Sequence, residues 1–280
     1  MISTLYESFL HACRYQEAVW LLRSEGYEDE AQRLEQWLVQ SMSSTAAVAK
    51  KKLGGGATRT YLVTLANGIS GVFKPRQYNP SANMYSEAGA YRLDRLLNLN
   101  VVPCTVLRKV HFFRYAGSFQ YFVAQARLAS SLDEAQRIKP AAMLLLDFLM
   151  DNRDRYPGNY MYLASIDKML AIDNGWGLRG NGIVETVKGY CIDRRTDRQR
   201  REQITFASNQ EFDPRLYANL KNLEISTLLH YFNPLIGTTA TRKLLERHEI
   251  VLQALVARFT GSENPASCPG PHARDYGSGT

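Results

Sequence analysis

The sequence is poor in cysteine, lacks long apolar runs and carries no Walker-type nucleotide signature. Its four cysteines, Cys13, Cys104, Cys191 and Cys268, stand far apart, with no C-x-x-C and no Cys/His cluster. That excludes the sequence pattern of a zinc site or a disulfide framework, and the cysteines read as reduced and mostly structural. The longest apolar stretch, Ala141 to Met150, is broken by Asp147 and is too short to cross a bilayer. The opening M-I-S-T-L-Y-E-S-F-L-H-A-C-R has no basic start, clean apolar run or small-residue cleavage site, so it does not read as a secretory signal. The expected location is cytoplasmic. Cations and aromatics are little interleaved along the chain as a whole, which argues against stacking on single-stranded nucleic acid.

What is present is a chain of 280 residues, 45% of them hydrophobic, with a formal charge of +7. That length suits one large domain or two lobes sharing a cleft. The charge favours nucleotide phosphates, acidic proteins, anionic lipids and nucleic acid alike, so it selects no partner.

Residues 1–45 carry Leu5, Phe9, Ala12, Cys13, Ala18, Leu21, Leu22, Ala31, Leu34, Trp37 and Leu38 at helical spacing. This predicts a two-helix hairpin turning at Glu25-Gly26-Tyr27, either packed on the main domain or free as a partner-binding appendage. Residues 46–128 read as a small β-rich lobe. T-Y-L-V-T-L and G-I-S-G-V-F-K-P flank Ala66-Asn67-Gly68, a hairpin signal. A helix is expected over Ser86 to Leu97, and strands within Val101 to Phe113 and Phe119 to Ala126. Residues 129–260 read as a mostly helical lobe, with an apolar helix at Ala141 to Met150 and strand-like pieces at Tyr160 to Leu163 and Met169 to Ile172. Helices are expected at Leu223 to Phe232 and Thr239 to Phe259. From 261 to 280 Gly, Ser, Pro and Asn dominate, the composition of a disordered tail.

The chemistry is concentrated in L-D-F-L-M-D-N-R-D-R-Y-P-G-N and, downstream, L-A-I-D-N-G-W-G. Asp154 and Asn159 are spaced as the aspartate and asparagine of a kinase catalytic loop, and Asp173 opens a D-x-G. Asp154 is the candidate for orienting an acceptor hydroxyl and taking its proton. Asn159 and Asp173 offer the hard oxygen donors that Mg²⁺ or Mn²⁺ prefers. Lys74 ends the second strand-like run, and Glu87 follows on the next helix, in the order of a kinase's lysine–glutamate pair. Gly54, Gly55 and Gly56 precede the first strand-like run, where absent side chains let backbone N–H groups approach phosphate. Each has a plainer reading: a glycine linker, a surface lysine, a helix-start glutamate, loop carboxylates. Their occurrence in this order favours the catalytic one. The run R-R-T-D-R-Q-R-R from Arg194 to Arg201 reads as a solvated helix face or a dock for an acidic protein or an anionic head group.

Through G-V-F-K-P-R, S-E-A-G-A-Y-R-L-D-R-L-L, N-V-V-P-C-T-V, D-N-R-D-R and I-D-N-G-W-G, residues 53–178 resemble the atypical kinases related to the Golgi secretory-pathway casein kinase, xylose kinase and Four-jointed. The loop Asp154-Arg155-Tyr156-Pro157-Gly158-Asn159 is also similar to that of phosphatidylinositol 3- and 4-kinases, with Tyr156 where their pattern has histidine. The resemblance implies an α+β, two-lobed protein-kinase-like fold in which Lys74 binds phosphate, Glu87 pairs with it or helps organise metal, Asp154 is catalytic and Asp173 binds metal. It implies an ATP- and divalent-metal-dependent kinase, foremost of Ser or Thr in a protein. Inositol-lipid or sugar phosphorylation, AMP transfer and a pseudokinase scaffold stand as alternatives. Without a signal or disulfides the chain reads as a cytosolic relative, with delivery into a host cell as an effector a further expectation.

Overall fold

The computed structural model describes residues 2–54, 58–77, 83–133, 137, 139–152, 154–178 and 214–259. Gly55, Gly56, the basic run 194–201 and the tail beyond 260 lie outside the described residues.

Three N-terminal helices, not two, open the chain: α1 (Ile2–His11), α2 (Tyr15–Ser24) and α3 (Glu28–Ser44). The expected turn at Gly26 is present, with φ +84°. The extra break comes at Cys13, which takes a left-handed φ of +56° although its apolar spacing continues the helical pattern. Glu28, Asp29 and Glu30 in the first turn of α3 complement the positive end of its backbone dipole. Helices α2 and α3 are part of the main core, where Trp20, Leu38 and Met42 pack in one cluster with Val63, Leu65 and Phe73 of the sheet, while Phe9 of α1 packs on Ala18 and Leu21 of α2. Polar ties reinforce the packing. Gln16 accepts from the Cys104 N–H at 2.7 Å, and Tyr121 donates its hydroxyl to the Cys13 carbonyl at 2.9 Å.

The small lobe is a five-stranded antiparallel sheet in the order β1-β2-β3-β5-β4, made of β1 (Ala47–Leu53), β2 (Thr60–Leu65), β3 (Ser70–Pro75), β4 (Thr105–Arg108) and β5 (Gly117–Tyr121). The β2–β3 hairpin turns at Asn67-Gly68, with Gly68 at φ +84°. Strand β1 has no counterpart in the expected elements, because A-V-A-K-K-K-L is lysine-rich rather than alternating. It lies at the sheet edge with residues 48–52 exposed, where lysine blunts pairing with a further strand. Helix α4 (Met84–Leu96) packs on the sheet through β4 and β5.

The second lobe holds a three-stranded sheet, β6 (Arg127–Leu128), β7 (Tyr160–Leu163) and β8 (Lys168–Ala171), with helices α5 (Ala141–Met150), α6 (Pro214–Asn222), α7 (Ile225–Ile236) and α8 (Thr238–Phe259). A single apolar cluster runs from Leu93 of α4 and Leu97 at its C-terminal cap through Leu146 and Leu149 of α5 to Phe232 of α7 and Leu244 of α8. The architecture mixes α and β, with a sheet-built small lobe and a helical second lobe. No helix among the described residues is long and apolar enough to cross a membrane.

Candidate active site

Three of the expected site residues meet directly. Lys74, one residue from the end of β3, places Nζ 2.5 Å from Glu87 Oε1 and 2.7 Å from Asp173 Oδ1. Glu87 reaches it from the first turn of α4, whose start is fixed by Asn83 accepting the Tyr85 N–H at 3.0 Å. The other Glu87 oxygen accepts the Asn174 N–H at 2.9 Å, so one buried carboxylate fixes both the lysine and the D-N-G backbone. Ser86 adds a second tie, donating its hydroxyl to the Gly177 carbonyl at 2.6 Å. Gly177 packs closely on Met150: a Cβ there would displace the Met150 Cε at 2.7 Å and crowd its Cβ at 3.1 Å and carbonyl oxygen at 3.3 Å.

Burial alone would lower the lysine's pKa. The attraction of Glu87 and then of Asp173 outweighs it and raises the group above its ordinary value of 10.5. With the folded value raised, the ion pair's contribution to stability is complete below the unfolded value and is lost only as pH rises through the folded one. The stability difference between the wild type and Lys74→Met, from urea unfolding, is therefore expected to stay constant between about pH 7 and about pH 10.

Asp154 and Asn159 are tied to each other in the loop before β7. The Asn159 Nδ2 donates to the Asp154 carbonyl at 2.6 Å, which leaves the amide oxygen as the atom able to face a cation. The Asp154 N–H is held by Asn152 Oδ1 at 3.2 Å. Tyr160 pairs with Ala171 across β7 and β8, and the Ile172 N–H donates to the Asn159 carbonyl at 3.2 Å. Asn159 is thereby set beside the residue that precedes Asp173, which has a left-handed φ of +54° and a side chain 36% exposed. Gly54 follows β1 at the sheet end that also carries Lys74 and Pro75.

The lacing of these loops depends on residues that the motif comparison passes over. Arg155, 1% exposed, donates to both oxygens of Asp147, to Asn174 Oδ1 and to the carbonyls of Asn159 and Ile172. Asn152 Nδ2 also donates to Asp147, at 2.9 Å. The available signal was Asp147 itself: a carboxylate inside an apolar helix needs a buried cation, and the following loop supplies arginine. Asn174, fully buried, joins the Arg155 network to Glu87.

The oxygen donors available here are of the hard kind that a divalent ion prefers. Asp173 could give a carboxylate and Asn159 an amide oxygen, with water and phosphate oxygens completing the shell, while both oxygens of Glu87 are already engaged by Lys74 and the Asn174 N–H. Among the described residues there is no group of three or more His, Cys, Asp or Glu suited to an all-protein metal cage.

No protein-family model matches the sequence, and comparison with curated proteins likewise gives no match. Solved structures similar to the chain include the Golgi casein kinase with Mn/ADP bound, at 13% identity and TM-score 0.48, covering 82% of this chain and 77% of that one. Hydra Fam20 with sugar aligns at 14% identity and TM-score 0.49, covering 82% and 90%. The Helicobacter pylori proinflammatory kinase CtkA aligns at 14% identity and TM-score 0.48, covering 77% and 97%.

Proposed function

We propose that the protein is an ATP- and divalent-metal-dependent kinase that transfers the γ-phosphate to a hydroxyl, foremost of Ser or Thr in a protein. Lys74 supports this most directly. Its ammonium bridges a helix glutamate and the D-x-G aspartate at 2.5 and 2.7 Å, joining the two lobes at the place where a nucleotide's phosphates would need a fixed cation.

In this reading Lys74 holds the phosphates, and Glu87 keeps the lysine extended. Gly54 offers its backbone N–H to the same phosphates, and the sequence assigns the same part to Gly55 and Gly56, which lie outside the described residues. Asp154 accepts the proton of the acceptor hydroxyl as its oxygen bonds to the γ-phosphorus and the bond to the ADP oxygen breaks. Asn159 and Asp173 would hold Mg²⁺ or Mn²⁺, which supplies charge neutralisation on the phosphates when bound. Arg155 keeps the Asp154 and Asp173 loops in fixed relation.

The test is transfer from γ-labelled ATP with Mg²⁺ or Mn²⁺ to protein, inositol-lipid and sugar acceptors. Transfer to protein by the wild type and its loss in Asp154→Ala is the expected result, with a drop of at least about a hundredfold. Label carried over from the α-phosphate instead would identify AMP transfer, and transfer to lipid or sugar alone would replace the proposed acceptor.

A further inference from the structure

Charge in the small lobe is of one sign. Residues 36–132 contain twelve Lys and Arg but only Glu87 and Asp94 as carboxylates. Both carboxylates are buried and engaged, Glu87 with Lys74 and Asp94 with Arg95 and the N–H groups of Val101 and Val102. Nothing acidic at the surface of this span offsets its exposed cations.

Strand register shows where several of them lie. Lys52 stands opposite Tyr61, and Tyr61 opposite Phe73, so these three share a face of the sheet, with Lys50 two residues along. Lys74 follows Phe73 and points to the other face. The β4–β5 connector, residues 109–116, folds over the Phe73 face. Its Phe113 ring lies 4.7 Å from Tyr61 and 4.8 Å from Phe73, and Lys50 Nζ sits 5.1 Å from Phe113 and 5.3 Å from Phe112. Exposed Lys109, His111, Arg114 and Tyr115 therefore gather with Lys50 and Lys52 on the side of the sheet away from the phosphate site. Guiding ATP to Lys74 does not account for cations on that side.

We propose that this face docks the protein on an anionic lipid surface. The connector K-V-H-F-F-R-Y interleaves cations with aromatics, unlike the chain as a whole, and Tyr115 is 43% exposed beside Arg114. Cations flanking amphipathic rings suit a bilayer interface, where aromatics sit at head-group level and basic side chains meet lipid charge. Phe113 is committed to packing on Tyr61 and Phe73, so it is not a free platform for bases. A patch of one sign suits the diffuse charge of a lipid surface better than a protein partner read by paired charges of both signs. The inference does not rest on the kinase reading, and its test has no catalytic readout.

The test is co-sedimentation of the full chain with vesicles of phosphatidylcholine alone or with about 30 mol% phosphatidylserine. Binding to the anionic vesicles only, weakened by about 0.5 M salt, is expected. The triple variant K50E/K52E/R114E is expected to bind about a hundredfold more weakly, from about fivefold or more per cation. A control, R33E/K221E/R242E, makes the same charge change at exposed sites elsewhere and is expected to bind within a few-fold of wild type. Lys52→Glu and Arg114→Glu singly, each about fivefold weaker, serve if the triple variant does not fold. Absence of binding to anionic vesicles overturns the proposal, as does equal loss in the control, which would reduce the effect to net charge. Retention of polyglutamate or an oligonucleotide without retention of vesicles also overturns it, assigning the face to an acidic macromolecule.

Discussion

Arg155→Met is expected to lower the unfolding midpoint by about 10 °C, corresponding to the ~3–5 kcal/mol lost when one partner of a buried ion pair is removed. The arginine is 1% exposed and Asp147 fully buried, so the substitution strands a carboxylate in an apolar helix, with Asn152 its remaining side-chain partner among the described residues. The carbonyls of Asn159 and Ile172 lose their shared donor at the same time. Adding Asp147→Leu removes the stranded charge and is expected to restore most of the midpoint. Activity is not expected to return with it, because the Asp154 and Asp173 loops stay unlaced. Thermal unfolding and labelled-phosphate transfer on the single and double variants separate the two effects. Equal midpoints for wild type and Arg155→Met would show that the network contributes nothing to stability.

Asp173→Asn is expected to show the opposite pattern, a loss of transfer of about a thousandfold with a midpoint within a few degrees of wild type. Its side chain is 36% exposed, and Lys74 retains Glu87 at 2.5 Å, so folding loses little. The substitution takes away the carboxylate charge available to a divalent ion while preserving shape. Single-turnover transfer across a Mn²⁺ titration is the informative measurement. Partial recovery at high Mn²⁺ is expected of a weakened metal ligand, whereas wild-type rates at low metal would remove Asp173 from that role.

The sequence discloses best what local pattern governs. Asn67-Gly68 between two β-rich runs marks the β2–β3 hairpin, and the apolar run from Ala141 marks α5 to the residue, because turn chemistry and burial leave direct traces. Lys74, Glu87 and Asp173, far apart in the chain, were grouped by order and spacing, and the fold brings them into contact. Tertiary context decided the rest. Lysine-rich β1 is a strand because β2 offers it an edge, and α1 breaks at Cys13 where the chain must turn toward Tyr121. Helix α6 also went unanticipated, since P-R-L-Y-A-N-L-K-N carries few apolar residues and buries Leu216 and Leu220. Arg155 was hidden by its own type: an arginine in a polar loop reads as solvated until the helix carboxylate it neutralises is seen beside it.

Helix α4 is clamped at both ends. Glu87 and Ser86 tie its first turn to Asn174 and Gly177, while at its far end Arg95 approaches Glu35 of α3 at 3.6 Å, and Arg23 of α2 holds that glutamate at 2.7 Å. Here the N-terminal helices splint α4 at the end away from the Lys74–Glu87 pair. To shift as a unit, α4 would have to break ties at both ends together, so a displacement of its first turn alone would bend the helix rather than carry it.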